Sequence, residues 1–183
     1  IPRLQAVRAA RPDARLFADA NAGWSLSQAL EYLPYLEKAE LEMLEQPLGV
    51  AEIEGLGEVQ ANTSIAIVAD ESLHKPEDLR YLAEAGVRGV NIKLMKVGGV
   101  GPALELMEEA RKAGMKIMLG CMIETSIGLS AAAHLAGLAD WLDLDASLLV
   151  ANDPFEGMTF GEDAVIGLPE GPGIGAHLRK PQS

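Results

Sequence analysis

Three carboxylates recur at the same kind of position along the chain. Asp19 follows the run Arg15-Leu16-Phe17-Ala18, Glu45 follows Leu41-Glu42-Met43-Leu44, and Asp70 follows residues 64–69. Glu45 lies 26 residues after Asp19, and Asp70 lies 25 after Glu45. Each run reads as a buried strand bounded by turn residues, so one acid ends each of three consecutive strands. Carboxylates converging on one rim repel unless a cation lies between them. An all-oxygen donor set selects a hard ion, with Mg2+ the default and Mn2+ the alternative. Any one of these acids alone reads more simply as a helix cap or loop residue. The threefold repetition at one topological position shifts the balance towards a metal.

Two further positions carry chemistry. Lys93 ends the run Gly89-Val90-Asn91-Ile92-Lys93, 23 residues after Asp70. Beside a divalent cation, burial and positive charge both favour the neutral amine, which can then act as a base. Lys96, in the loop that follows, fits a surface lysine better. Asp143 and Asp145 close the last run, Trp141-Leu142-Asp143-Leu144. Alternate residues of a strand project to one side. The pair therefore reads either as a clamp for a substrate ammonium group or as a helix cap with one stray acid.

The elements that must position these residues alternate regularly. Strand-like runs at 15–18, 41–44, 64–68, 89–93, 115–119 and 141–144 are separated by helical stretches. Ser25 to Lys38 opens with a capping-box spacing, Ser25 to Gln28, and carries Leu26, Ala29, Leu30, Leu33 and Leu36 on one face. Pro76 to Ala85 opens with a proline in its first turn. Gly101 to Ala113 stops at Gly114. Ser126 to Leu138 is small and apolar nearly all round, and residues 1–10 read as the end of another helix. Alternation of this kind predicts a parallel sheet with right-handed crossovers, either an open doubly wound sheet or a (β/α)8 barrel. The G-x-G-x-x-G sequence of a dinucleotide-binding sheet is missing. Val97-Gly98-Gly99-Val100-Gly101 reads as a tight turn.

Composition sets outer limits. In 183 residues, 15 Lys and Arg against 27 Asp and Glu give a net charge of −12, which excludes a basic nucleic-acid footprint. An apolar share of 49% is enough for a buried core. No uninterrupted apolar run approaches the roughly 18–20 residues of a membrane span. The opening Ile1-Pro2-Arg3 lacks a signal-peptide pattern, and Cys121 is the only cysteine. The expectation is a cytoplasmic protein without membrane or nucleic-acid partners.

Four ordered motifs carry a family resemblance: Asp19-Ala20-Asn21-Ala22-Gly23-Trp24-Ser25, Glu45-Gln46-Pro47, Ala69-Asp70-Glu71-Ser72, and residues 91–99, Asn91-Ile92-Lys93 through Gly99. The chain resembles the enolase superfamily, and more narrowly its muconate-lactonising subgroup. The resemblance implies an α/β fold, a (β/α)8 TIM-type barrel with a capping domain. Residues 1–183 would be its C-terminal part, about strands three to eight, with barrel units to about residue 150 and a tail over 151–183. The capping domain, strands one and two, and the strand-two Lys-x-Lys motif with its second acid/base would lie outside this sequence, making it a fragment.

By the same resemblance, Asp19, Glu45 and Asp70 bind Mg2+, Lys93 is a catalytic acid/base, and Asn21 and Glu71 stand behind the ligands. Asp143-x-Asp145 and Gly120-Cys121-Met122-Ile123-Glu124 look like the dipeptide epimerases, the group that includes L-Ala-D/L-Glu epimerase. There the paired acids hold the substrate's α-ammonium and Met122 would touch substrate. Cys121 then reads as a pocket wall, since no histidine lies near it in sequence to activate it. The implied reaction is Mg2+-dependent removal and return of the proton α to a carboxylate in a dipeptide, by a homo-oligomeric isomerase when full-length. Muconate or chloromuconate cycloisomerase, o-succinylbenzoate synthase, and an inactive metal-binding barrel remnant are the alternatives.

Overall fold

The computed structural model describes residues 1–180, which form two compact units. The first comprises Ile1–Asn91 and Glu109–Lys116. It holds helix α1 (Pro2–Ala10), strand β1 (Leu16–Asp19), α2 (Leu26–Lys38), β2 (Leu41–Glu45), α3 (Ile53–Ala61), β3 (Ala66–Ala69), α4 (Pro76–Glu84) and the start of β4 (Gly89–Lys93). The strands are parallel and adjacent in chain order, β1-β2-β3-β4. The register pairs Asp19 with Glu45, and Glu45 with Val68. The ladder therefore sets Asp19 level with Glu45, while Asp70 lies two residues beyond Val68, the partner of Glu45. Leu44, Leu48, Leu56, Ile67, Leu73 and Leu82 are fully buried. Each such side chain contributes about 1.5–3 kcal/mol relative to exposure.

Local chemistry explains the helix starts and stops. The Ser25 hydroxyl accepts the Gln28 N–H at 3.3 Å while Gln28 Oε1 accepts the Ser25 N–H at 2.9 Å, the reciprocal cap that the spacing predicts. Ala29, Leu33 and Leu36 form the buried stripe of α2. Gly114 takes φ +73°, a left-handed stop that glycine adopts without cost. Gly57 in α3 has a different duty: a Cβ there would sit 2.1 Å from the Ala85 carbonyl oxygen. The residue is glycine because α3 approaches the end of α4 so closely.

The second unit comprises Ile92–Glu108 and the described residues from Ile117 on. It contains the end of β4, α5 (Leu94–Val97), most of α6 (Val100–Lys112), β5 (Lys116–Gly120), α7 (Ser126–Ala133) and β6 (Trp141–Leu142). Its strands follow the order β4-β5-β6, with Met118 opposite Trp141. The helix expected over residues 126–138 ends at Ala133. The chain then tightens into 3-10 turns, Leu135 N–H to Ala132 O at 2.8 Å and Leu138 N–H to Leu135 O at 2.9 Å. The last strand is shorter than its sequence suggests, stopping at Leu142 rather than Leu144. The tail holds two small antiparallel pairs, β7 (Phe155–Glu156) with β10 (His177–Leu178) and β8 (Thr159–Phe160) with β9 (Ile166–Gly167). Two-residue strands leave no readable alternation.

Candidate active site

The acids of the first unit differ in environment. Glu45 and Asp70 are each 5% exposed, whereas Asp19, on strand β1, is exposed. Glu45 Oε1 accepts the Asn91 side-chain amide at 2.6 Å, so the polar residue of β4 reaches the acid of β2. Asp19 is held by its own loop: Oδ1 accepts the Asn21 N–H and Oδ2 accepts Asn21 Nδ2, both at 2.7 Å. Asn21 makes these bonds from φ +46°, a left-handed conformation that asparagine tolerates. Glu71 is half-buried, and its Oε2 is buried without a hydrogen bond.

Register and donor chemistry suit a hard divalent cation. The oxygens come from the C-terminal ends of three adjacent strands, Asp19 level with Glu45 and Asp70 just past β3, and the buried, unpartnered Glu71 Oε2 adds another of the same type. Their present side-chain positions do not converge. Among the described residues, no three His, Cys, Asp or Glu side chains are grouped closely enough to hold a metal ion.

The remaining expected residues belong to the second unit. Lys93 is half-buried at the last position of β4 and occupies the N-cap position of α5 without a side-chain capping bond. Asp143 and Asp145 lie past the end of β6, so strand alternation no longer governs them; both are exposed, and Leu144 between them is 3% exposed. The Asp143 N–H donates to Leu119 O at 3.0 Å, which keeps this segment against β5. Asp145 turns the chain into a 3-10 helix over Ala146–Leu149. Both acids border a cavity of about 590 Å3 whose wall is otherwise largely apolar, including Leu142, Phe160, Ile166 and Leu168.

Cys121 is half-buried near the same acids. Burial pushes its thiol up to about 11, the charges of Asp143, Asp145 and Glu124 adding to the effect and the Ala146 backbone opposing it. A thiol so disfavoured as thiolate suits the wall role and not that of a nucleophile. Burial also raises the Glu124 carboxyl, against the lowering effect of the Met122 N–H. Glu124 Oε2 lies where a side chain at Gly128 would project, 1.9 Å from its Cβ position. Met122 is 44% exposed.

Two functional-looking residues have no individual role in the sequence reading. Gln46 follows Glu45 and is completely buried. Asp153 reaches back to the start of α7, accepting the Ser126 N–H at 2.7 Å and the Ser126 hydroxyl at 2.6 Å. The burial of Gln46 and the Asp153 bond, which spans 27 residues, both arise from the fold and leave no local signature.

Comparison with known proteins gives three kinds of match. Residues 1–182 match the family described as "Enolase C-terminal domain-like". An L-Ala-D/L-amino acid epimerase from Pedosphaera parvula is 43% identical over 159 residues, covering 85% of this chain and 46% of that protein. The structure of a substrate-liganded L-Ala-D/L-Glu epimerase from Bacillus subtilis superposes with a TM-score of 0.89 at 34% identity, covering 95% of this chain and 50% of that one. A dipeptide epimerase from Cytophaga hutchinsonii, complexed with Mg and D-Ala-L-Val, gives 0.88 at 30% identity over 98% of this chain and 51% of that one. The chain thus spans about half the length of the relatives it matches, and its fold is the barrel type that the family resemblance implies, carrying part of that barrel.

Proposed function

The chain belongs to the enolase C-terminal domain-like family, and we propose that it is the part of a dipeptide epimerase that carries the cation ligands, one acid/base and the ammonium clamp. The observation that carries this reading is the level placement of Asp19 and Glu45 in the β1–β2 register, with Asp70 directly after β3. The relatives, which are epimerases, supply the reaction type.

Asp19, Glu45 and Asp70 would hold Mg2+, with Asn21 orienting Asp19 and Asn91 orienting Glu45. When bound, the ion supplies positive charge that stabilises the negative charge spreading onto the substrate carboxylate as its α-proton leaves. Lys93 takes that proton from one face of the α-carbon or returns one to it. Inversion needs a second group on the opposite face, and the resemblance assigns that group to a Lys-x-Lys segment outside this sequence. Asp143 and Asp145 hold the ammonium of the N-terminal residue. An ammonium fits two exposed carboxylates better than the anionic end of a muconate-type substrate, which they would repel.

Asp143→Asn in the full-length protein tests the clamp. The expected result is a KM for L-Ala-L-Glu raised at least about tenfold, with affinity for the divalent cation unchanged. Dipeptide kinetics equal to wild type would remove Asp143 from the site. No helix among the described residues is long and apolar enough to cross a membrane.

A further inference from the structure

Gln46 stands where the loops after β1, β2 and β3 meet. Its side-chain amide uses its whole bonding capacity. Nε2 donates to Leu48 O at 2.8 Å and to Ser72 Oγ at 2.9 Å; Oε1 accepts the Asp70 N–H at 2.9 Å and the Ser72 N–H at 3.3 Å. Its backbone is equally engaged. The Gln46 N–H donates to Val68 O at 2.9 Å, and Gln46 O accepts the Ala22 N–H at 2.8 Å. The residue is 0% exposed.

Its backbone sits at φ +31°, where a non-glycine residue is strained. Pro47 follows and disfavours the right-handed helical alternative. Such a conformation persists only where surrounding bonds over-determine it, and here six hydrogen bonds do so. Asp70 lies one residue past the end of β3, so the strand ladder no longer fixes it. The bond from its N–H to Gln46 Oε1 does.

We infer that Gln46 is a positioning residue: it sets the spacing between Glu45, its neighbour in sequence, and Asp70, and ties both to the loop that follows Asp19. The assignment rests on the reading of those three acids as cation ligands. It makes a distinction that simple structural importance does not. Loss of the Gln46 amide should loosen the ligand spacing itself, beyond any general loss of stability.

Gln60 is a matched comparison. It is 2% exposed and makes the same kind of buried bridge, Nε2 to Thr63 O at 3.3 Å and Ile65 O at 3.0 Å, with Oε1 accepting the Ile67 N–H at 2.8 Å. It serves the opposite end of β3. The experiment compares Gln46→Met and Gln60→Met in the full-length protein. Mn2+ binding is measured by calorimetry and by the electron paramagnetic resonance spectrum, well below each variant's melting temperature. Both variants should melt lower. Gln46→Met should bind Mn2+ at least about tenfold more weakly with an altered spectrum, and Gln60→Met within about twofold of wild type. Gln46→Asn, one methylene shorter, should show the same loss and serves if the Met variant does not fold. Wild-type affinity in the Gln46 variants, or equal weakening in the Gln46 and Gln60 variants, overturns the assignment. A wild-type protein without saturable Mn2+ binding overturns the cation reading itself, and the assignment with it.

Discussion

Replacing Asp153 probes how the C-terminal tail is tied to the helix that follows β5. Thr125 occupies the N-cap position of α7 but makes no side-chain capping bond. Asp153 caps from 27 residues away, taking the Ser126 N–H at 2.7 Å and the Ser126 hydroxyl at 2.6 Å. Its other oxygen takes the Phe155 N–H at 3.0 Å. Loss of a capping side chain costs about 1 kcal/mol. Loss of a hydrogen bond to a charged group costs about 1.5–3 kcal/mol when buried and less at a partly exposed site such as this. Asp153→Ala should therefore destabilise by about 2–3 kcal/mol at pH 7, and Asp153→Asn, which keeps an acceptor, by about 1 kcal/mol.

The pH dependence follows from the carboxyl's shift. Partial burial pushes it up, but the Ser126 hydroxyl, the Phe155 and Ser126 amides and the Arg179 charge outweigh this and hold it below the ordinary value. A group depressed in the folded state contributes stability that is complete above its unfolded pKa, about 3.9, and is lost as pH falls through the folded value. Urea midpoints for wild type and Asp153→Asn, measured from pH 7 downwards, should show a gap that is constant to about pH 5 and then narrows. A gap under about 0.5 kcal/mol for Asp153→Ala at pH 7, or one that widens in acid, would refute the capping argument.

Two more perturbations read the packing and the electrostatics. Gly57→Ala forces a Cβ onto the Ala85 carbonyl oxygen at 2.1 Å, and should lower stability by about 1–3 kcal/mol in thermal unfolding; an unchanged midpoint would mean that α3 moves freely away from α4. Cys121, with its thiol pushed up to about 11, should react with iodoacetamide at pH 8 about a hundredfold more slowly than an ordinary cysteine, and faster in Asp145→Asn. Reaction at the rate of free cysteine would show that burial and the neighbouring acids do not act as described.

What the sequence discloses is mostly what local chemistry determines. Apolar runs of four or five residues locate the strands, so the local pattern alone places the acids at their ends. Ser25 with Gln28, and Gly114, announce helix boundaries through bonds and dihedrals confined to a few residues. Gln46 is different. Its partners, Leu48, Asp70 and Ser72, are chosen by the parallel register, and only the positive φ of the folded chain reveals that it is held. Asp153 finds Ser126 across a whole helix and strand. Asp143 and Asp145 occupy an intermediate case. Their alternation is legible, but the strand expected to carry them ends at Leu142, and a 3-10 turn does so in part.

The measurement that bears most directly on the central claim is α-proton exchange in D2O. The full-length protein, supplied with Mg2+, is incubated with L-Ala-L-Glu and followed by proton nuclear magnetic resonance. The expected result is loss of the α-proton signal of the C-terminal residue, appearance of the L-Ala-D-Glu epimer, and abolition of epimer formation by Lys93→Ala with the fold retained. Turnover of muconate, with no deuterium entering any member of a dipeptide panel, would contradict the epimerase reading.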